Sequence, residues 1–265
     1  MDDLSSPNKA VRRNGLKKIL EEVKGENFVK DDHLLPFFSK LLYSDEYDTS
    51  RELSFQIAIQ LFDYVKEQER DSISEFCFEV VKKNVLNQKS NETEAVRICI
   101  SQLLALLLTQ SSNAFLFRHI DDIVKLLRIY LVDPCPQVVL CLVTSLQQFV
   151  LKFPQIHMVA ESFIRLLVHP LSHRQRLIRY HSICCIRFLV EMDGDRNGII
   201  VEDILDRLLL TLSDSDDNTR KEGIMLLKHC LEGKLYQNSR LQILDAFAKH
   251  QDEQLVQEIL QTSVI

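Results

Sequence analysis

The sequence predicts an all-α chain built as a solenoid of about six to seven helical hairpins, and three observations carry that reading. An arginine returns at one beat: Arg12, Arg51, Arg97, Arg179 and Arg220 each open an apolar, helix-like run, at intervals of 39, 46, 82 (twice 41) and 41, with Val139 standing in the gap. A second column runs six residues earlier, through Ser6, Asp45, Asn91, Asp133, His173 and Asp214, nearly all short polar residues of the kind that cap helix N-termini. Composition supplies the third. Only 6 Gly and 6 Pro occur in 265 residues, and the long Leu/Ile/Val runs lack the period-two alternation and Gly-rich turns of sheets, so no strand is expected.

A period of about 40 to 47 residues is the length of a HEAT-type hairpin, so each repeat reads as helix A, tight turn, helix B. Helix B is expected over 11–23, 50–65, 95–109, 138–153, 177–192 and 219–231, all apolar with three-to-four periodicity. Its helix A partners are expected over 34–43, 73–87, 120–132, 159–168 and 204–212, and a weaker seventh pair over 239–250 and 253–261. Pro7 and Pro134 follow two members of the polar column, where a helix is about to begin and a missing N–H costs nothing. No Pro/Ser/Gly linker or low-complexity tract divides the chain, so residues 1–265 are expected to form one domain. In a solenoid each repeat touches its neighbours alone, and the core is a strip.

Other features bound the function. The start Met1-Asp2-Asp3 has neither a basic nor an apolar signal region, and the longest apolar stretch, 98–108, is too short to span a bilayer. A cytoplasmic protein is expected. Seven cysteines, an odd count with no C-x-x-C pair, read as small core residues of a reducing compartment. A net charge of −6 argues against general affinity for nucleic acid or anionic membrane.

Residues 193–200, Asp193-Gly194-Asp195-Arg196-Asn197-Gly198-Ile199-Ile200, match an EF-hand loop at positions 1, 3, 5, 6 and 8, but Ile204 stands where the bidentate Glu is required. The loop reads as a polar turn between repeats. His157, His169, His173 and His181 cluster beside Cys184 and Cys185. Pro170 separates His169 from His173, and adjacent cysteines point about 100° apart on a helix, so no shared ion is expected. With no nucleophile elbow, phosphate-cradling Gly loop or H-E-x-x-H, no enzyme, cofactor or metal is expected. Function then lies in a protein-binding surface.

Charge is segregated along the chain. From 162 to 190 there is no acid, yet Arg165, Arg174, Arg176, Arg179 and Arg187 occur, while from 191 to 217 nine acids face Arg196 and Arg207. Two readings stay open. The blocks neutralise each other across the repeat interface, with Arg179 belonging to the structural column along with Arg12, Arg51, Arg97 and Arg220. Alternatively Arg165, Arg174 and Arg176 contact a carboxylate or phosphate of a partner, for which forked guanidinium donors are suited.

Several runs carry a family resemblance: Ser50-Arg51-Glu52-Leu53, Asp133-Pro134-Cys135-Pro136-Gln137-Val138, His157-Met158-Val159-Ala160-Glu161-Ser162, then His173, Ile178-Arg179, Gly194, Gly198 and Val201-Glu202-Asp203-Ile204-Leu205. With register kept over about 35–225, the chain resembles the HEAT-repeat axonemal dynein assembly factors. That family's members are longer, so a short or truncated member is expected, and Val139 and Cys141 replace charged residues of the pattern. The resemblance implies a scaffold or co-chaperone for preassembly of dynein arms, with dynein chains, other assembly factors or chaperones as partners and no catalytic residue. The alternative is another HEAT adaptor, of the phosphatase-scaffold or transport-receptor type. A tubulin-binding array is disfavoured by the absence of Trp and the acidic block at 213–217. Val11, Leu16 and Ile19 at one end, and Val256, Ile259 and Leu260 at the other, are expected to leave apolar surface uncovered and to promote self-association.

Overall fold

The computed structural model describes residue 4 and residues 6–24, 48–64, 70–86, 93–193, 198–232, 237–250 and 256–257. Among the described residues there are eleven α-helices, two short 3-10 turns and no strand. They fall into two compact units, Met1–Tyr130 and Leu131–Ile265.

The first unit holds α1 (Lys9–Lys24), α2 (Asp48–Tyr64), α3 (Arg70–Leu86), α4 (Glu94–Gln110) and α5 (Asn113–Tyr130). Helices α1, α2 and α4 pack in succession as one layer, and α3 lies against α2, α4 and α5. The layer order follows from which faces are apolar. In α1 the stripe of Leu16, Leu20 and Val23 meets Leu4 and Ile57, with Ile19, Leu53, Leu61 and Phe76 at the margin. Helix α4 buries nine residues, from Val96 to Leu108, and is apolar almost all round, as a central helix must be. Helix α5 is one-sided: Phe115, Leu116, Ile123, Leu126, Leu127 and Tyr130 face inward, while Arg118, Asp121, Lys125 and Arg128 face water.

The second unit holds α6 (Pro136–Lys152), a 3-10 turn (Pro154–Val159), α7 (Ala160–Leu171), α8 (Arg176–Asp193), α9 (Gly198–Leu210), a 3-10 turn (Thr211–Ser213), α10 (Asp217–Glu232) and α11 (Gln237–Lys249). Helices α6, α8 and α10 form one layer, and α7, α9 and α11 the other. Phe149 stacks on Phe153 at 5.2 Å and meets Phe163 of α7 at 5.6 Å between ring centroids, so aromatic packing locks the first hairpin of this unit. Gly223 sets the spacing at the other end. A Cβ there would stand 2.1 Å from Thr211 Oγ1, so only glycine lets α10 approach the turn after α9 this closely.

All six expected helix B runs are helices, with ends one or two residues from those read in the sequence. Two helix A starts were placed six or seven residues late. Helix α5 begins at Asn113 and not 120, and α9 at Gly198 and not 204. In α5 the early turn is anchored by Phe115 and Leu116, whose burial outweighs the polar Arg118 and His119 beside them. Residues 34–43, Asp45, Asn91, the loop 194–197, and 253–255 with 258–261 lie outside the described residues.

The polar column also differs from expectation. Its four described members, Ser6, Asp133, His173 and Asp214, do not cap the helices; they stand three residues before the first helical position and close the preceding turn. Ser6 Oγ, Asp133 Oδ1, His173 Nδ1 and Asp214 Oδ1 each accept the N–H two residues on, at 3.2, 2.8, 3.0 and 2.9 Å. The caps proper come two residues later. Asn8 Oδ1 accepts from the Ala10 N–H at 2.9 Å, and Asp216 Oδ2 from the Thr219 N–H at 3.0 Å. A short acceptor serves an Asx-type turn as well as a cap, so residue type alone did not separate the two positions.

The expected bare ends are corrected as well. Leu16 and Val256 are fully buried, and Val11 and Ile19 are half-buried. The apolar stripe of α1 packs against Leu4 and against Ile57 of α2. Ile259 and Leu260 lie outside the described residues.

Candidate functional site

The six-residue gap between the two columns has a geometric cause. Arg12 Nη1 folds back to donate to the carbonyls of Ser6 and Pro7 at 2.7 and 3.1 Å. Arg179 Nη1 does the same to His173 and Arg174, both at 2.9 Å, and Arg220 Nη1 to Asp214 at 2.6 Å. Each guanidinium thereby satisfies carbonyls of the turn that precedes its own helix. Arg179 then reaches the next repeat, its Nε and Nη2 gripping Asp214 Oδ2 and Oδ1 at 2.6 and 2.7 Å. Burial by itself would raise the Asp214 pKa, but the hydrogen bonds from Arg179 and the Asp216 N–H outweigh it and hold the carboxyl below its ordinary range. Arg51 is buried and donates from Nη2 to Asn84 Oδ1 at 2.9 Å.

The basic and acidic blocks meet in space. Arg165 bonds to Glu161 within α7 and to Asp203 of α9, each at 3.0 Å. Arg187 pairs with Glu222 of α10 at 2.6 Å and Glu191 at 2.8 Å. Arg176 comes only to 3.9 Å of Asp216 and is mostly exposed. Arg174 is exposed and makes no hydrogen bond or ion pair through its side chain among the described residues. Neutralisation therefore accounts for Arg165, Arg179 and Arg187, but not for Arg174.

Arg174 instead opens onto a groove of ≈ 790 Å³ in the second unit, with Arg165, His169, His173, Gln175 and Arg207 along its walls. Pro134, Pro136, Val168 and Ser172 complete the lining, and no acidic side chain contributes. Of the three arginines singled out as partner-binding, Arg165 and Arg174 line this groove and Arg176 does not. Arg207 was missed because it stands in the most acidic stretch of the sequence. A signal was available: it follows Asp203, the partner of Arg165, by one helical turn and so shares its face. His169 and His173, which the sequence separates at Pro170, come to the same groove because Pro170 lies in the last turn of α7, which ends at Leu171, and the turn beyond it is closed by the His173 N–H on the Pro170 carbonyl at 3.0 Å.

All but one of the cysteine thiols are sequestered. All seven cysteines are free, and all but Cys141 are buried. Burial pushes the thiols of Cys77 and Cys230 up to about 12, and it is the main cause at Cys99 and Cys184, which rise to about 11. A thiol so shifted is not a thiolate near neutral pH. His181, its Nδ1 2.7 Å from Gln147 Oε1, has its pKa lowered by burial and is neutral in the fold. Among the described residues no three His, Cys, Asp or Glu side chains gather as a metal site, and no helix is long and apolar enough to cross a membrane.

Solved structures share this architecture. A computationally designed armadillo repeat protein for modular peptide recognition matches with TM-score 0.65 and 15% identity, covering 86% of this chain and 97% of its own. Kap121p bound to RanGTP matches with TM-score 0.67 and 12% identity over 92% of this chain and 24% of its own. At such identities the likeness is one of fold, a helical-repeat solenoid. In sequence, dynein axonemal assembly factor 5 of Xenopus laevis is 25% identical over 224 residues, 82% of this chain. The chain spans about a quarter of that relative's length (26%). Residues 3–232 match the family described as dynein axonemal assembly factor 5-like, TPR repeats, although the arginine beat of 41 is longer than the ~34 residues of a TPR unit. With that match over most of its length, the chain belongs to the dynein axonemal assembly factor 5-like family.

Proposed function

We propose that the chain is a non-enzymatic cytoplasmic scaffold or co-chaperone in the preassembly of axonemal dynein arms, binding dynein chains together with other assembly factors or chaperones. The observation that carries the reading is the family match over residues 3–232. The helical-repeat fold supports a role in holding other proteins. Partner contact falls to the basic surface of the second unit, around Arg165, Arg174 and Arg176, whereas Arg12, Arg51, Arg97, Arg179 and Arg220 brace the repeats. Residues 1–265 act as one domain in this reading, and a single calorimetric transition is expected; two well-separated transitions would replace it.

Affinity capture from ciliated cells, with identification of the bound chains, tests the function. Enrichment of axonemal dynein heavy or intermediate chains supports it. Recovery of phosphatase subunits or transport cargo in their place would make the chain a different kind of adaptor, a reading for which the fold alone speaks.

A further inference from the structure

The groove in the second unit has a composition that sets it apart from the rest of this surface. Elsewhere in the unit several arginines are committed: Arg179 to Asp214, Arg187 to Glu191 and Glu222, Arg220 to Asp217. Arg174 and Arg207 are exposed and make no hydrogen bond or ion pair through their side chains among the described residues. This holds although Asp203 and Asp206 share a helix with Arg207 in a chain of net charge −6. Each guanidinium brings five N–H donors and no acceptor. His173 of the same groove is a donor too. His173 Nδ1 accepts the Gln175 N–H at 3.0 Å, so the ring proton sits on Nε2. Burial, then His169, Arg179 and Arg174, lower its pKa, which favours the neutral ring.

We infer that this groove receives a carboxylate-rich linear segment of a partner protein, held by Arg174 and Arg207 with Arg165 and the His173 Nε2–H at its sides. The inference rests on the reading of the chain as a protein-binding module, and not on dynein being the partner. Three features select the occupant. Its polar lining offers donors and no carboxylate, so an anion is favoured. Its ≈ 790 Å³ lies in the range of about 300 to 1,000 Å³ that takes a ligand with several groups, more than a lone ion fills. The cationic strip is also short, since Glu161 and Asp203 flank Arg165 and Asp206 stands beside Arg207. A long polyphosphate or an anionic membrane would meet those acids, whereas a few side-chain carboxylates would not.

The test is fluorescence anisotropy of the purified full chain with a short fluorescein-labelled peptide alternating glutamate and serine. Comparison probes are its glutamine counterpart, a phosphoserine-glutamine version and a labelled oligouridylate. We expect saturable binding of the glutamate peptide that weakens with salt and is absent for the glutamine peptide. R174E/R207E should weaken it about tenfold or more. The charge-matched R128E/K221E, at exposed positions outside the groove, should stay within about twofold of wild type. Unchanged helicity and melting of R174E/R207E confirm that the loss is local, and R174Q/R207Q serves if the reversal perturbs the fold. The inference is overturned by absence of saturable binding or by equal loss in the control variant. Binding of the phosphoserine peptide alone, or of oligouridylate at least as tightly, would also overturn it. Peptide binding that persists while dynein capture fails strikes only the proposed function; the converse strikes only this groove.

Discussion

Arg51 of the first unit and Arg179 of the second occupy the same beat of the sequence, yet they are held by different chemistry. Arg51 is buried against a neutral amide: Asn84 Oδ1 accepts from it at 2.9 Å, and Asn84 Nδ2 is anchored in turn on the Val80 carbonyl at 2.9 Å. Arg179 grips a carboxylate with two parallel bonds and adds two backbone carbonyls. The first contact sets a neutral dipole against a buried guanidinium; the second is a fork-to-fork ion pair at its partly buried site. A recurring arginine thus marks a recurring place in the hairpin, while the local sequence decides whether a neighbour answers with an amide or an acid.

The contrast can be broken in several places. Asp214→Ala should have the largest effect, about 3 kcal/mol in urea unfolding, because it strands the Arg179 guanidinium in a mostly buried site. A loss under about 1 kcal/mol would mean that water replaces the carboxylate there, and the two units would differ less than their geometry implies. Gly223→Ala should cost about 2 kcal/mol, since its methyl collides with Thr211 and so disturbs the carbonyl that accepts the Asp214 N–H at 3.1 Å. Asn84→Ala is expected to cost about 1 to 2 kcal/mol through the hydrogen bond lost by a buried guanidinium, measured in the same unfolding assay. For Arg220→Ala about 1 kcal/mol is expected, as its bonds to the Asp214 carbonyl and to exposed Asp217 are nearer water.

Acid separates the two arrangements by sign. The folded-state pKa of Asp214 lies below its unfolded value, so its pairing contributes fully above the usual carboxylate range and is lost as pH falls through the folded value. The Arg51–Asn84 bond contains no group that titrates there. Hydrogen exchange followed from neutral pH downward should therefore show α8 and α10 losing protection at the arginine contact as Asp214 takes up its proton. Protection there that stays unchanged through the carboxylate range would sink this reading.

The arginine beat and its six-residue offset were legible because a turn, a guanidinium reach and a helix start have fixed dimensions, and fixed dimensions print a fixed spacing. Helix B runs were legible for a similar reason: an apolar stripe with its ends near Arg51, Arg97 or Arg220 declares itself. What failed was local and through-space. Ser6, Asp133 and Asp214 looked like caps because turn and cap ask for the same side-chain oxygen. Arg207 was hidden among acids because counting charges along the chain ignores which helical face each occupies. The burial of Leu16 and Val256 depends on neighbours that a one-dimensional pattern does not supply.

The placement of the cysteines offers a use that lies outside their packing. Cys77, Cys99, Cys184, Cys185 and Cys230 are sealed one or two to a helix, in α3, α4, α8 and α10. A thiol that is both covered and protonated reacts with an alkylating agent only when its helix opens, so the modification rate at each site reads the opening frequency of that helix. Mass-resolved alkylation of the unlabelled, unmutated chain would then give a map of which hairpins breathe, with Cys141 on α6 as the more accessible reference.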